Sequence, residues 1–423
     1  MPMSKEFTAR LHPILREVVA AFGTPFHIYD ERGIIENGEQ LKAVFAKFPG
    51  FTEFFAVKAC PNLAILQLMQ KMGFGFDCSS IPELDIVRML GSTGEQIMFT
   101  SNNTSMAEYK AAADEGGCIL NLDDVTFIRK VPIFPKLICF RYNPGERRKG
   151  NEIIGNPIEA KYGVRDDQIV DAYRFAMIKG AEHFGLHTMI CSNQLDYTYM
   201  VETVRMLLEV TERIYDELGI KFEFVNIGGG IGIPYQPQQD AFNIWAFAEE
   251  TGIFFESFKR KFGFAPKLFM ECGRYMTGPH GVLVTTVINR MSKYMEIAGV
   301  DACMSSLMRP ALYDAYHHHT VLGGEGRETE VVNVVGSLCE NNDQFAKKRQ
   351  LPKATEGDIV VIHDTGAHGY AMCFQYNGRL RPKELLLRDN GDVELIRREE
   401  TLEDYLQTFS FTPRTITPTR KDA

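Results

Sequence analysis

Three short stretches of this chain combine residue types that can do chemistry. Lys58 ends the hydrophobic run Phe54-Phe55-Ala56-Val57-Lys58-Ala59. Such a lysine is either a snorkelling residue at a strand edge or an amine taken out of water, with a lowered pKa that suits attack on an aldehyde. The strand alone does not decide between these. Gly228-Gly229-Gly230-Ile231-Gly232 follows a second hydrophobic run. Glycines there let backbone N–H groups close around a phosphate, the alternative being a flexible turn. Ile233 occupies the third glycine position of the dinucleotide fingerprint and the Walker lysine pattern is absent, so neither motif applies. Glu271-Cys272-Gly273-Arg274 closes a third run. Its acid and base can form a mere surface ion pair, but beside a phosphate cradle the acid can also face a cofactor's ring nitrogen. His317-His318-His319 lacks the carboxylate or cysteine pattern of a metal centre, His183 and His187 are four apart on an expected strand and too far separated for one ion, and no metal is expected.

The surrounding segments explain how these residues meet. Strand candidates are Phe54–Lys58, Phe74–Cys78, Ile97–Thr100, Cys118–Leu122, Leu137–Tyr142, Phe184–Ile190, Phe222–Ile227 and Leu268–Glu271. Most are continuous apolar runs, as expected of parallel strands covered on both faces. Helix-period stretches lie between them: Ala64–Met72, Pro82–Leu90, Met106–Glu115, Gln168–Lys179, Tyr197–Leu218 and Phe242–Phe262. Gly73 and Gly219 follow helix ends, where a left-handed cap is wanted. About eight β–α units in succession point to a closed (β/α)8 TIM-like barrel, with an open doubly wound sheet as the rival. Lys58, Asp77, Asn102, Arg141, Ser192, Gly228–Gly230, Glu271 and Arg274 then gather at the C-terminal ends of the strands, the mouth where barrels keep their active sites.

Beyond Thr277 the texture changes to Val282–Asn289, Thr329–Gly336, Asp358–His363 and the pair Glu384–Arg388/Val393–Arg397. Asn390-Gly391 marks a hairpin of the type I′ kind. The expected second domain is antiparallel β and recruits the early strand Phe26–Asp30. The boundaries are a barrel over 31–276 and a β-rich domain from 1–30 and 277–423, with 411–423 a loose tail.

Composition narrows the class. The chain has 423 residues, 45% of them hydrophobic and 24% charged, with 46 Lys+Arg against 55 Asp+Glu and a net charge of −9. This is globular composition, and the acidic balance without a basic run argues against nucleic-acid or anionic-membrane partners. Met1–Glu6 leads into no signal-type apolar run, and no stretch is long enough to span a bilayer. Nine scattered cysteines, never spaced C-x-x-C, indicate reduced thiols and a cytoplasmic protein.

Taken in order, several motifs carry a resemblance. They are Phe55-Ala56-Val57-Lys58-Ala59, Asp77-Cys78-Ser79-Ser80, Gly228-Gly229-Gly230, Glu271-Cys272-Gly273-Arg274, Arg309-Pro310-Ala311-Leu312-Tyr313, Cys339-Glu340 with Asp343, and Gly366-Ala367 followed by Tyr376-Asn377. Along nearly its whole length the chain resembles the fold-type III pyridoxal-phosphate-dependent decarboxylases, with their alanine-racemase-like barrel, and among them the branch acting on diaminopimelate. The resemblance implies that Lys58 carries the cofactor pyridoxal 5'-phosphate covalently. It implies that the glycine run and the Glu-Cys-Gly-Arg segment hold the phosphate, that Glu271 faces the pyridine nitrogen, and that Asp77 also lies at the cofactor. The alanine racemases of the same fold place an arginine where Glu271 stands. Arg274, Arg309, Tyr313 and Glu340 match substrate contacts, and Cys339 matches a proton donor that reaches across a homodimer interface. The implied reaction is decarboxylation of meso-2,6-diaminopimelate to L-lysine and carbon dioxide. The alternatives are a related decarboxylase for carboxynorspermidine or a basic amino acid and, remotely, a non-catalytic cofactor-binding regulator.

This chain departs from the family at two cofactor positions. Met189-Ile190-Cys191-Ser192 stands where many members have His-Ile-Gly-Ser with the histidine stacked on the cofactor ring, and His368 stands where many have tyrosine after Gly-Ala. A thioether can still pack on a ring. The phenol's task falls either to Tyr370 or to the imidazole of His368 itself.

Overall fold

The computed structural model describes residues 4–150, 155–409 and 416. After helices Lys5–Leu11 and Leu15–Phe22 comes β1 (Phe26–Asp30), then helix Glu31–Val44. The chain continues through β2 (Thr52–Ala56), β3 (Gly75–Cys78), β4 (Gly94–Thr100), β5 (Cys118–Leu122), β6 (Leu137–Asn143), the two-residue β7 (Val164–Arg165), β8 (His183–His187), β9 (Phe224–Asn226) and β10 (Lys267–Met270). Every neighbouring pair in the order β5-β4-β3-β2-β10-β9-β8-β6 is parallel, and β5 pairs with β6 to close the ring. The result is the closed eight-stranded (β/α)8 barrel, not the open doubly wound rival.

Side chains alternate across each strand, so residues two apart share the barrel interior. Phe54, Met98, Ile119, Cys139, Phe224 and Phe269 form an apolar plug there. The Phe224 and Phe269 rings stack at 4.3 Å between centroids. Gly185 belongs to the same layer, and a β-carbon on it would collide with the Phe224 ring. Two residues further along these strands stand Ala56, Thr100, Asn121, Arg141, His187, Asn226 and Glu271. The change from apolar floor to polar upper layer is thus written residue by residue into the strands. Outside the ring, helices such as Tyr197–Leu218 and Ile244–Phe262 bury their apolar faces on the other side of the strands.

The second sheet comprises β11 (Gly281–Ser292), β12 (Glu296–Val300), β13 (His319–Val321), β14 (Thr329–Val335), β15 (Gln344–Pro352), β16 (Ile359–Ile362), β17 (Lys383–Leu387) and β18 (Val393–Arg397), together with β1. As expected it is mainly antiparallel, with two parallel pairs inside it. β1 lies parallel to β17 and antiparallel to β11, and β12 lies parallel to β14. No hairpin ties the direction of either parallel pair. β1 arrives from the far chain end, and a long connection separates β12 from β14, which is what parallel pairing requires. β15 escapes sequence reading because Lys347, Lys348 and Arg349 break its apolar pattern.

The hairpin at Asn390-Gly391 exists, but its turn is not type I′. Only Gly391 has a positive φ (97°), Gly391 N–H donates to the Arg388 carbonyl, and Arg388 N–H donates to Asp392. This is the three-residue loop of a type I turn followed by a left-handed glycine. Expected strand Phe184–Ile190 ends at His187, leaving Met189 and Ile190 in the loop above the barrel. The tail over 411–423 lies, apart from Ile416, outside the described residues. Among the described residues no helix is long and apolar enough to cross a membrane.

The plug makes a stability prediction. Phe224→Ala removes a fully buried ring from the centre of the barrel floor, and urea unfolding should show a loss of about 3–5 kcal/mol.

Candidate active site

The polar upper layer of the barrel opens into a cavity of about 610 Å³. Lys58 stands in the single turn Val57–Ala59 that follows β2, so its side chain enters this space. Its Nζ donates to Asp77 Oδ2 at 2.9 Å, and half of the side chain remains open to the cavity. Removal from bulk water lowers the pKa of this amine, but the carboxylates of Asp77 and Glu271 outweigh that, and the net direction is upward. Of the two readings the strand left open, the lowered value does not hold here, because the two carboxylates stabilise the ammonium.

Glu271, just past β10, is buried and fully engaged. Oε1 accepts from Asn226 Nδ2 at 2.8 Å, and Oε2 lies 3.2 Å from His187 Nε2. Burial pushes this carboxyl up, yet His187, Lys58 and Asn226 together hold it below the ordinary range. Asp77 takes the opposite course, since burial and the nearby Glu271 charge raise it against the pull of Lys58. Among the described residues Asp77 Oδ1 and His187 Nδ1 are buried without a protein partner.

Asn226 also accepts from the Gly228 N–H at 2.8 Å, which ties Glu271 to the glycine turn. A β-carbon on Gly229 would strike the Glu271 carbonyl, and one on Gly230 (φ 97°) would lie 2.7 Å from the Cys191 carbonyl. Only glycine fits there. Among the described residues no acceptor takes the N–H groups of Gly229 or Gly230, although both line the cavity. Behind them, Cys272 N–H donates to Glu53 at 2.6 Å. Burial, followed by the Glu53 and Glu271 charges, raises the Cys272 thiol well above normal, so it is an inert wall. Gly273 and Arg274 complete that side.

Met189 lines the cavity beside the glycine turn. Arg141 stacks over Tyr162 at 3.8 Å and donates to the Met189 carbonyl. His368 faces the cavity from a left-handed backbone (φ 56°), with its N–H on the Ala59 carbonyl at 2.8 Å. Burial and then Arg274, Arg309 and Lys58 push its imidazole well below normal, so it is neutral. Tyr370 is turned away, packed on Arg397 and His27. The residue offered to the cavity here is the imidazole.

Lys58, Asp77, Met189, Gly229, Gly230, Glu271, Gly273, Arg274 and His368 therefore meet at one cavity, with Gly228 and Cys272 directly behind it. Arg309 is buried beside Arg274, and both contact Tyr235. Tyr313 is half-exposed, Cys339 is exposed and Glu340 is partly buried, and neither Cys339 nor Glu340 lines this cavity. Cys339 N–H instead donates to Asn377, and Glu340 caps its own turn at Asn342. Sequence reasoning missed His187, Asn226, Tyr235 and His317 as site residues. The first two are legible as the polar residues two places after the apolar plug; Tyr235 and His317 carry no local signal.

The donor set fits a phosphorylated aldehyde: a lysine amine, an acid held anionic, and free backbone N–H groups where only glycine can stand. The fold and these groups define a barrel enzyme of pyridoxal-phosphate chemistry, and comparison with known proteins places it more narrowly. Residues 34–278 match the family described as "Pyridoxal-dependent decarboxylase, pyridoxal binding domain". The chain is 46% identical over 422 residues to "Protein TabA" of Pseudomonas amygdali pv. tabaci, covering 99% of both proteins. It is 36% identical over 399 residues to the diaminopimelate decarboxylase of Methanothermobacter thermautotrophicus, covering 92% of each. The diaminopimelate decarboxylase of M. jannaschii, solved in complex with L-lysine, superposes with a TM-score of 0.85 at 29% identity, covering 94% of each chain. The chain belongs to the pyridoxal-dependent decarboxylase family, and its cofactor is pyridoxal phosphate.

The charge balance at Lys58 can be tested directly. Asp77→Asn removes the contact that helps keep the amine protonated, so the pH midpoint for reaction of the apoprotein with pyridoxal phosphate should fall relative to the parent. Stopped-flow absorbance across pH measures it.

Proposed function

We propose that this protein decarboxylates meso-2,6-diaminopimelate to L-lysine and carbon dioxide. The observation that carries the reading is a pair of buried guanidinium groups, Arg274 and Arg309, whose protein partners are a tyrosine hydroxyl and an imidazole. Among the described residues neither is neutralised by a carboxylate, so the natural complement is an anionic group on the substrate. A second amino-acid head, distant from the reacting one, is what diaminopimelate presents. The relative solved with L-lysine supports the same chemistry. The higher identity to Protein TabA than to the diaminopimelate decarboxylases makes the substrate the point to test.

Pyridoxal phosphate, when bound, supplies an electron sink for the charge left as the carboxylate departs. Lys58 is the residue to attach it. Gly229, Gly230 and the Gly273-Arg274 segment would hold its phosphate, and Met189 and His368 would flank it. Glu271, kept anionic by His187, Lys58 and Asn226, is the acid to hold a proton on a ring nitrogen. Arg274 and Arg309 orient the distal head. Cys339, as proton donor, and Glu340, as acceptor for the distal ammonium, lie outside their own chain's cavity. A homodimer in which they complete the partner's site accounts for that placement. The same reading makes this a cytoplasmic enzyme of amino-acid biosynthesis.

Incubation with pyridoxal phosphate and meso-diaminopimelate should release carbon dioxide and L-lysine in equal amounts. Turnover of carboxynorspermidine or ornithine in preference would overturn the substrate. Arg309→Ala should lower kcat/KM for diaminopimelate by about a hundredfold, the size of a lost bidentate charged contact. Cofactor affinity, read by absorbance titration, should stay within about threefold of the parent value.

A further inference from the structure

The two arginines at the substrate end are fixed by groups without charge. Arg274 Nη1 donates to the Tyr235 hydroxyl at 2.5 Å, and the Arg309 guanidinium lies 4.6 Å from the Tyr235 ring centroid. Arg309 Nη1 lies 2.8 Å from His317 Nε2, and the His317 ring meets the Tyr235 ring edge-on, at 5.2 Å and 77°.

Elementary donor and acceptor chemistry assigns the protons on His317. A guanidinium offers N–H groups and no lone pair, so Nε2 must accept. The His363 carbonyl, 2.7 Å from Nδ1, can only accept, so Nδ1 carries the hydrogen. A second proton on Nε2 would oppose N–H to N–H. The imidazole is therefore neutral and held in one tautomer. Its frame is rigid, because the His317 carbonyl accepts from Arg349 at 2.9 Å and from His319 Nδ1 at 2.9 Å. Burial, followed by the charge of Arg309, works in the same direction and pushes the imidazole well below its normal value.

Buried arginines are ordinarily paired with carboxylates. An aspartate or glutamate in place of His317 would satisfy the same guanidinium edge and cancel its charge. A neutral lone pair orients Arg309 equally well and leaves the charge standing.

We propose that His317 is a specificity-determining positioning residue: by bracketing Arg309 with a neutral acceptor, it keeps a positive charge available for the distal carboxylate of the substrate and so sets the preference for amino-acid ends over plain amines. This rests on the substrate reading above, in which the distal head carries a carboxylate. His317 acts through Arg309 and touches neither the cofactor lysine nor the cavity wall around it.

The test compares two competitive ligands on the cofactor-loaded full chain. L-lysine retains the distal carboxylate, and cadaverine is the same skeleton without it. The parent enzyme should bind L-lysine at least about tenfold more tightly than cadaverine, as one charge-assisted contact implies. His317→Asp should weaken L-lysine by about tenfold or more while cadaverine stays within about threefold, erasing the discrimination. His317→Gln supplies a neutral acceptor and should retain it. Cofactor absorbance should be unchanged in both. Equal weakening of L-lysine by the Asp and Gln variants would overturn the proposal, because packing alone would then explain the effect. If His317→Asp does not fold, His317→Gln decides by itself, and loss of discrimination there is the contrary result. Failure of the parent to turn over diaminopimelate, with the Asp/Gln contrast intact, would remove the substrate reading and support this one. No discrimination in the parent would overturn both.

Discussion

The structure depends on keeping one ammonium, half open to the cavity, together with two buried carboxylates. Lys58, Asp77 and Glu271 face one another at the barrel mouth, and buried charges of this kind persist only when paired and hydrogen-bonded. The surrounding residues answer that requirement. Asn226 bonds Glu271 and the glycine turn at once, so the position of the acid and the shape of the backbone cradle are a single constraint. His187 approaches the second oxygen of Glu271. The aromatic floor of Phe54, Phe224 and Phe269 closes the barrel beneath and fixes the strands from which all of these project.

A second group of charges, two guanidinium groups, begins at Arg274 in the cavity wall and continues behind it to Arg309. Arg274 and Arg309 share Tyr235, and the imidazole of His368 is kept neutral first by burial and then by the fields of both arginines and of Lys58. The site thus has two carboxylates at the amine and a separate guanidinium pair about Tyr235. On the proposed reading this separation selects both ends of the substrate. One end reacts where Lys58 and Glu271 stand, and the other is held by guanidinium groups whose charge the protein itself leaves uncompensated.

Much of this was legible in the sequence, for a physical reason. Parallel strands buried on both faces show as apolar runs, so the barrel could be read, and its C-terminal strand ends located Lys58, Asp77, the glycines and Glu271 before any coordinates. His187 and Asn226 follow the same two-residue alternation, yet were passed over because a histidine or asparagine at a strand end is unremarkable without its partner. Tyr235 and His317 were not legible at all. Each sits in an irregular segment, and what gives them meaning is contact with arginines distant in sequence. The parallel course of β1 beside β17 was hidden similarly, since strand direction across a whole chain length is set by tertiary packing. The direction of the Lys58 pKa was undecided in the strand, because the two carboxylates that set it come from other strands. Cys339 and Glu340, which the resemblance matches to a proton donor and a substrate contact, lie outside the cavity of their own chain, and no local pattern in the sequence says so.

The most direct test of the central claim is the site of covalent attachment. The holoenzyme, reduced with borohydride and digested, should carry the pyridoxyl group on the peptide containing Lys58 and on no other. Recovery of the label on a different lysine, or of unlabelled Lys58 peptide from fully loaded enzyme, would contradict the account.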